Sequence, residues 1–184
     1  MPIIGVLDSA KTGRLWPANS YYQIDTTTVG AGGVASITFS SIPSTYTHLQ
    51  IRMTTLQDQT NRNVDLQINS DTASNYAWHE LYGTGSAVGA GGAGSQTFIK
   101  TGYTDTTTTS YTGAGIVDIL DYANTNKYKT VRSLSGSNSN GAGYSLSRSG
   151  VWLSTNAITS LTFSAQLSNF KQYSTFALYG IKVA

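Results

Sequence analysis

The sequence predicts an all-β protein, an antiparallel β-sandwich of jelly-roll type, and three observations support that fold class. Short runs of alternating apolar and polar residues recur along the 184 residues, which is typical of half-buried strands. No run of ten or more residues has the 3.6-residue apolar period of a helix, and Glu80 is the single glutamate. Thr and Tyr, which favour strands, occur 26 and 12 times.

The pattern predicts about eleven strands. Alternation is clearest in 49–53 and 64–68, where one face is apolar and the other polar, as expected for a sheet with one wet face. The other runs have apolar or β-branched positions bounded by Gly, Asn, Ser or Pro. They span residues 22–28, 34–39, 76–81, 98–99, 116–120, 128–134, 144–153, 158–163 and 173–183. The first two of these are predicted to form a hairpin across the glycines at 30–33.

Residues 1–18 do not fit the sandwich and are predicted to form an extended N-terminal arm that docks on a partner. The remaining residues, 19–184, are predicted to form one domain. Exposed apolar side chains on an arm need a partner to cover them. The alternative is an additional strand on the domain itself. The predicted docking residues are Ile3, Ile4, Val6, Leu7 and Trp16.

Two low-complexity segments also interrupt the strand pattern. Gly83–Ser95 contains six glycines and is predicted to be a flexible or multi-turn loop at one end of the sandwich. Thr106–Thr109 is compatible with a short polar strand or with a loop. The many strands leave sheet edges, which invite pairing. Because few charges are present to protect these edges, either neighbouring copies cover them or the strands are short and twisted.

Composition argues against several classes of function. Charged residues make up 11% of the chain and the net charge is +2, so the basic surface that a nucleic acid requires is not expected. The chain has no cysteine and two histidines, which disfavours a metal site. No apolar run approaches the length of a membrane-spanning helix. We therefore expect no cofactor, no nucleic acid partner and no membrane partner.

The motifs that suggest catalysis are weak, and we expect no catalytic site. Gly89–Gly94 matches G-x-G-x-x-G, but a strand pattern follows it where a dinucleotide site needs a helix. His79 and Glu80 are adjacent on a strand, so their side chains should point to opposite faces. His48 is predicted to be exposed to solvent. Asp118 and Asp121 flank a predicted turn in which Asp121 and Asn124 bond to their own backbone, with a calcium site as the alternative.

Aromatic side chains could stack on sugar rings, although core or subunit contacts are the favoured interpretation for most of them. The candidates are Trp16, Tyr21, Tyr76, Trp78, Tyr82, Tyr111 and Trp152. Among these, Tyr76, Trp78 and Tyr82 are the predicted glycan-contacting residues. Lys127, Lys129 and Arg132 form a local basic cluster, which is interpreted as a solvated strand face.

Three stretches together resemble a known family. They are Ser36–Arg52 (SITFSSIPSTYTHLQIR), Asp118–Thr130 (DILDYANTNKYKT) and Tyr173–Lys182 (YSTFALYGIK). In their order and spacing they resemble small β-sandwich virion proteins of tailed bacteriophages, notably those of cyanophages, and the resemblance covers about residues 20–184. The short apolar start that ends in Lys11-Thr12-Gly13 is similar to members of that family as well.

The resemblance implies a structural role and no catalytic residue. Such proteins serve as capsid cement (decoration) proteins or as distal tips of tail fibres and tailspikes, commonly as homotrimers. We expect a trimeric cement protein on the outer head surface, made in the host bacterial cytoplasm and bound to the major capsid protein. The alternative is a receptor-binding tip whose partner is a cell-surface glycan.

Overall fold

The computed structural model describes residues 21–104 and 110–182, and these residues form an all-β structure of twelve strands in two sheets. The strands are β1 Tyr21–Thr28, β2 Ser36–Phe39, β3 His48–Thr55, β4 Arg62–Ile68, β5 Tyr76–Gly83, β6 Val88–Gln96, β7 Ile99–Thr104, β8 Gly113–Leu120, β9 Lys129–Ser139, β10 Ala142–Trp152, β11 Leu161–Ala165 and β12 Thr175–Ile181. The predicted arm, residues 1–18, and Thr106–Thr109 lie outside the described residues.

The two sheets are antiparallel and unequal in size. The large sheet has eight strands in the order β1-β12-β3-β8-β9-β10-β5-β6, and the small sheet has four in the order β2-β11-β4-β7. This confirms the predicted all-β sandwich; the jelly-roll type stays a prediction. Within the described ranges, no helix is long and apolar enough to cross a membrane.

The core lies between the sheets and is built by the alternation seen in the sequence. Leu49, Ile51 and Met53 of β3 are buried. On the other face of the strand Arg52 and Thr54 are exposed, whereas Gln50 is buried. Phe176 of β12 contacts the rings of Phe163 and Phe170 at centroid distances of 5.7 and 5.0 Å. Each such side chain stabilises the fold by roughly 1.5–3 kcal/mol through removal of apolar surface from water.

The predicted hairpin of β1 and β2 is wrong. β1 pairs with β12 in the large sheet, and β2 pairs with β11 in the small sheet. Thus the two strands lie in different layers, and the glycines at 30–33 connect the sheets. β12 and β11, the partners of β1 and β2, are distant in the sequence. The turn residues between β1 and β2 therefore do not determine which strands pair.

The predicted glycine-rich loop is also wrong, because most of it is strand β6. Thr84–Ala87 forms the turn, and Val88–Gln96 pairs with β5 at the edge of the large sheet. Side chains of β5 occupy the space beside the β6 glycines: a Cβ on Gly89 would lie 2.4 Å from the Tyr82 ring, and one on Gly92 would lie 2.6 Å from the His79 ring. The glycines therefore accommodate their neighbours on β5.

Gly150 sets the spacing of the sheets, which gives a test of the packing. A Cβ on this β10 residue would lie 2.3 Å from Cγ2 of Ile99, on β7 of the opposite sheet. We expect Gly150→Ala to lower the free energy of unfolding by about 1–3 kcal/mol, the usual cost of overpacking. Gly94→Ala on β6, where a Cβ meets nothing within 4 Å, is the matched control and should be neutral in urea unfolding. Equal effects of the two substitutions would contradict this account.

Candidate functional site

The three family-like stretches converge at one corner of the large sheet. They contribute β3, the end of β8, the start of β9, and β12, which are consecutive in the order β12-β3-β8-β9. His48 is opposite Ile181 on one side and opposite Leu120 on the other. The first stretch also contains β2, Ser36–Phe39, which lies in the small sheet. We call the large-sheet part of the three stretches the corner.

Hydrogen bonds to loop backbone hold the corner together. The hydroxyl of Tyr122 donates to the carbonyl of Pro43, and burial raises the pKa of this buried tyrosine. His48 is half-buried rather than solvent-exposed as predicted, and its Nδ1 accepts the backbone N–H of Asp121 at 3.0 Å. The ring of Tyr46 covers Gly180, where a Cβ would lie 2.3 Å from the ring's Cγ.

The prediction of a solvated basic strand face is wrong for Lys129. Its side chain is fully buried at the start of β9. The ammonium donates to the carbonyls of Asn124, Lys127 and Thr155 at 2.5, 3.0 and 3.1 Å. Burial lowers the pKa of Lys129, since it disfavours the charged form. The lysine thus fastens the 121–128 turn to the loop that follows β10.

The predicted turn at Asp121 is present, with a different role for the aspartate. Asn124 Oδ1 accepts the N–H of Asn126, as expected for an Asx turn. The carboxylate of Asp121 instead accepts a hydrogen bond from the Lys127 ammonium, which lowers the pKa of Asp121. In the part of the chain that is described, no group of three or more His, Asp or Glu is placed to hold a metal ion.

A second polar cluster lies between the sheets, beneath β10 and β5. Buried Arg148 of β10 donates from Nε to Glu80 of β5 at 2.8 Å, from Nη1 to the carbonyl of Gly102 on β7 at 2.8 Å, and from Nη2 to Asn63 of β4 at 2.6 Å. One guanidinium thereby connects four strands and both sheets. Lys100 lies 4.0 Å from Glu80.

Asp65 is a buried carboxylate in the same region. Its Oδ1 atom has no hydrogen-bond partner among the described residues. It is buried on β4, opposite Lys100 of β7. Burial raises the pKa of Asp65 to about 7, and the positive charges of Lys100 and Arg148 only partly oppose this rise. The group therefore titrates near neutral pH.

The predicted glycan-contacting aromatics are largely wrong. Tyr76 and Trp78 are buried on the inner face of β5. The Tyr76 hydroxyl is bonded to the backbone of Ile68 and Asp71, and the Lys100 ammonium lies 3.9 Å from the centre of a Trp78 ring. Tyr82 is half-buried against Tyr144. Burial of this face could not be read from the sequence, because both faces of β5 carry aromatic or apolar residues.

Three further predictions concern single side chains. Trp152, another candidate aromatic, is buried, and its indole N–H donates to Asp71.

His79 is exposed, whereas Glu80 is partly buried and bound to Arg148, so the prediction that they point to opposite faces is confirmed. No described residue brings His79 a hydrogen-bonding carboxylate of the kind a triad needs.

Sequence reasoning missed an apolar strip on the outer face of the large sheet. We define the apolar strip as Ile116, Leu134, Leu81 and Val88, from β8, β9, β5 and β6. Ile116 is opposite Leu134, and Leu134 is separated from Leu81 only by Ser147 of β10. Leu134, Leu81 and Val88 are 61%, 65% and 91% exposed. Each looks unremarkable in its own strand, and only the pairing of strands places them together.

Two adjoining hollows flank Leu134 on this face. One, of about 620 Å³, lies beside Ile116, and its base includes Ala114 and Gly136. The other, of about 690 Å³, lies beside Leu81 and Val88. Arg52 is the one charged residue among the described residues that line them. The outer face is therefore apolar along the strip, which is unusual for a sheet surface exposed to water. The next outward positions along these strands, Asp118, Arg132 and His79, are polar.

Comparison of the sequence with protein-family models returned no match, and comparison with curated proteins returned none either.

Lys129 yields a prediction about the corner. Lys129→Met should lower the free energy of unfolding by about 2–4 kcal/mol, because three carbonyls lose a charged donor. Lys127→Met removes only an exposed ion pair with Asp121 and should change the free energy of unfolding by less than about 1 kcal/mol. Urea unfolding of both variants makes the comparison, and a Lys129→Met variant as stable as Lys127→Met would refute the structural role.

Asp65 yields a prediction about pH. Its folded pKa is about 7, against a usual value of 3.8, so the folded state retains a proton that the unfolded chain has released. The contribution of Asp65 to stability is therefore present at low pH and is lost as pH rises towards 7. Asp65→Asn should be more stable than the wild type at pH 8, by on the order of 3 kcal/mol, and should show a flatter pH dependence.

Urea unfolding between about pH 4.5 and 8 measures this effect. Asp58→Asn is the control: hydrogen bonds from Asn169 lower the pKa of Asp58 below its usual value of 3.8, so Asp58 titrates below this pH range and the pH profile of the variant should parallel that of the wild type. Parallel pH profiles for the wild type and Asp65→Asn would show that Asp65 does not titrate in the predicted range.

Proposed function

We propose that the chain is a structural protein of a bacteriophage virion, a homotrimeric cement protein on the outer surface of the head. The observation that carries the proposal is the apolar strip, a surface that a solitary protein would not leave in water. The corner's resemblance to phage virion proteins supplies the class, and the apolar strip supplies a physical reason for assembly.

The apolar strip is suited to contact with a second copy of this chain. Leu134 stands between two hollows, so it can serve as a protrusion while the hollows receive side chains of a neighbour. Aliphatic side chains at the centre of a patch are typical of permanent interfaces between identical chains. A chain with 11% charged residues also has little charge with which to keep copies apart.

The edge strand β6 supports the same proposal. Its nine residues, Val88–Gln96, include no charged residue and no proline, the two devices that commonly block pairing at a sheet edge. β6 contributes Val88 to the apolar strip. A neighbouring copy seated on the strip would therefore also lie near the unprotected edge.

Attachment to the capsid is assigned to residues 1–18, through Ile3, Ile4, Val6, Leu7 and Trp16. Three arms on one trimer would bind neighbouring capsid subunits together, so that modest single contacts sum to tight attachment. The alternative of a receptor-binding tip loses its predicted site, because Tyr76 and Trp78 are buried. Head decoration is therefore the function we favour.

The assembly can be tested with matched leucine variants. A trimer of 19.6-kDa chains has a mass of about 59 kDa by light scattering. Leu134→Arg should give the monomer mass, because three buried guanidinium groups would oppose association. Leu167→Arg is the control, since Leu167 is strongly exposed in the turn after β11, away from the strip. Monomeric wild-type protein would contradict the proposal.

The location is tested on particles. Cryo-microscopy of virions that contain the chain should show trimeric density on the head. Protein lacking residues 1–18 should remain trimeric in solution and fail to occupy heads. Full occupancy by the truncated protein would show that the arm is not the attachment, and density at the tail would show that the head assignment is wrong.

A further inference from the structure

A polar cup lies at one end of the sandwich, next to the hollows beside the apolar strip. It has a volume of about 580 Å³, which is in the range of small-molecule sites. The turn between β5 and β6, the approach to β8 and the hairpin of β9 and β10 form its walls. We define the cup by four of its lining residues, Tyr111, Ser137, Asn138 and Tyr144.

The chemistry of the cup is hydroxyl-rich and uncharged. Every described residue that lines it is Gly, Ala, Ser, Thr, Asn or Tyr. Without a cation, the cup lacks the group that proteins use to hold a phosphate or carboxylate. Its walls expose slightly more polar than apolar surface, so it is not suited to a purely apolar ligand. The ligand that fits is neutral and carries both hydrogen-bond donors and acceptors.

Two tyrosine rings give the cup flat surfaces. Tyr144 is held from behind by Tyr103 and Tyr82, at ring-centroid distances of 4.7 and 6.0 Å. Tyr111, which lies on the approach to β8, is 37% exposed. A fixed ring beside a more accessible one can receive the apolar C–H face of a sugar while hydroxyl groups bind its edge.

Ser137 is the unpartnered serine that lines the cup. It is 9% exposed, and its Oγ has no hydrogen-bond partner among the described residues. Ser133 and Ser135 on the same face of β9 share this property but do not line the cup. A buried hydroxyl without a partner carries a desolvation cost that a bound hydroxyl would remove. Next to it, Asn138 accepts the N–H of Gly141 through Oδ1, which directs its amide N–H groups away from that bond.

We infer that the cup binds a neutral saccharide, with Tyr111 and Tyr144 against the ring face and Ser137 and Asn138 as hydrogen-bonding groups. The inference does not rest on the proposed head location or on trimer formation. It assigns sugar binding to a surface different from the predicted Tyr76 and Trp78 pair, which is buried.

The test uses the full chain and a panel of neutral oligosaccharides of glucose, galactose, mannose and N-acetylglucosamine, with sialylated and sulfated oligosaccharides as acidic counterparts. Saturation-transfer NMR detects binding and calorimetry measures it. At least one neutral oligosaccharide should bind with a dissociation constant on the order of 1 mM or lower. No neutral binding at about 10 mM, or a preference for the acidic oligosaccharides, would overturn the inference.

Matched variants locate the site. Tyr111→Ala should weaken binding roughly three- to tenfold, and Ser137→Ala several-fold, since the serine's Oγ supports no bond within the fold. Tyr128→Ala, which removes an exposed tyrosine at the opposite end of β9, should bind as the wild type does. Unchanged affinity in both cup variants would overturn the inference.

Leu134→Arg separates this inference from the proposed function. If the variant is monomeric and still binds the neutral oligosaccharide, the cup is a site of the single chain, as inferred. Loss of binding in a folded monomer would place the sugar between copies and overturn the assignment to the cup.

Discussion

The structure depends on the way a four-stranded sheet is joined to an eight-stranded one, and Arg148 makes that junction. Its guanidinium binds Glu80 on the large sheet, and Gly102 and Asn63 on the small sheet. A buried cation that lost one of these partners would be strongly destabilising, so the partners must be in place together. The arginine thereby fixes how β10 and β5 lie over β7 and β4, at the edge where the small sheet ends.

That junction has consequences for the neighbouring strand. β5 turns Trp78, Glu80 and Tyr82 inward, and the side chains of Tyr82 and Glu80 lie beside Gly89 and Gly91 of β6. A Cβ on Gly89 would collide with the Tyr82 ring. The same small residues leave the edge without charge, and the outer face of the pair then carries Leu81 and Val88. A packing requirement inside the sandwich thus produces the surface that we assign to assembly.

Much of the fold could be predicted because alternation is a local signal. In β3 and β4 every apolar position is buried, and the strands were found with small boundary errors. The expected wet face is incomplete, because Gln50 of β3 and Asp65 of β4 are buried as well. Most errors arose where a distant partner decides. β1 and β2 pair with β12 and β11 rather than with each other, and Lys129 is buried because carbonyls at 124 and 155 enclose it. The apolar strip and the cup were missed for the same reason, since each is assembled from several strands. β6 was missed for a local reason, because its glycines carry no strand signal.

The proposed interface and the inferred sugar site share a border, which links the two proposals physically. Gly136 and Ser145 line both the cup and the hollow beside Ile116, and Gly83 lines both the cup and the hollow beside Val88. Copies joined through the apolar strip would therefore place their cups close together. Several weak sites at fixed spacing bind a repeating glycan far more tightly than one does. A decoration protein with such cups would hold a virion near polysaccharide without any single high-affinity site.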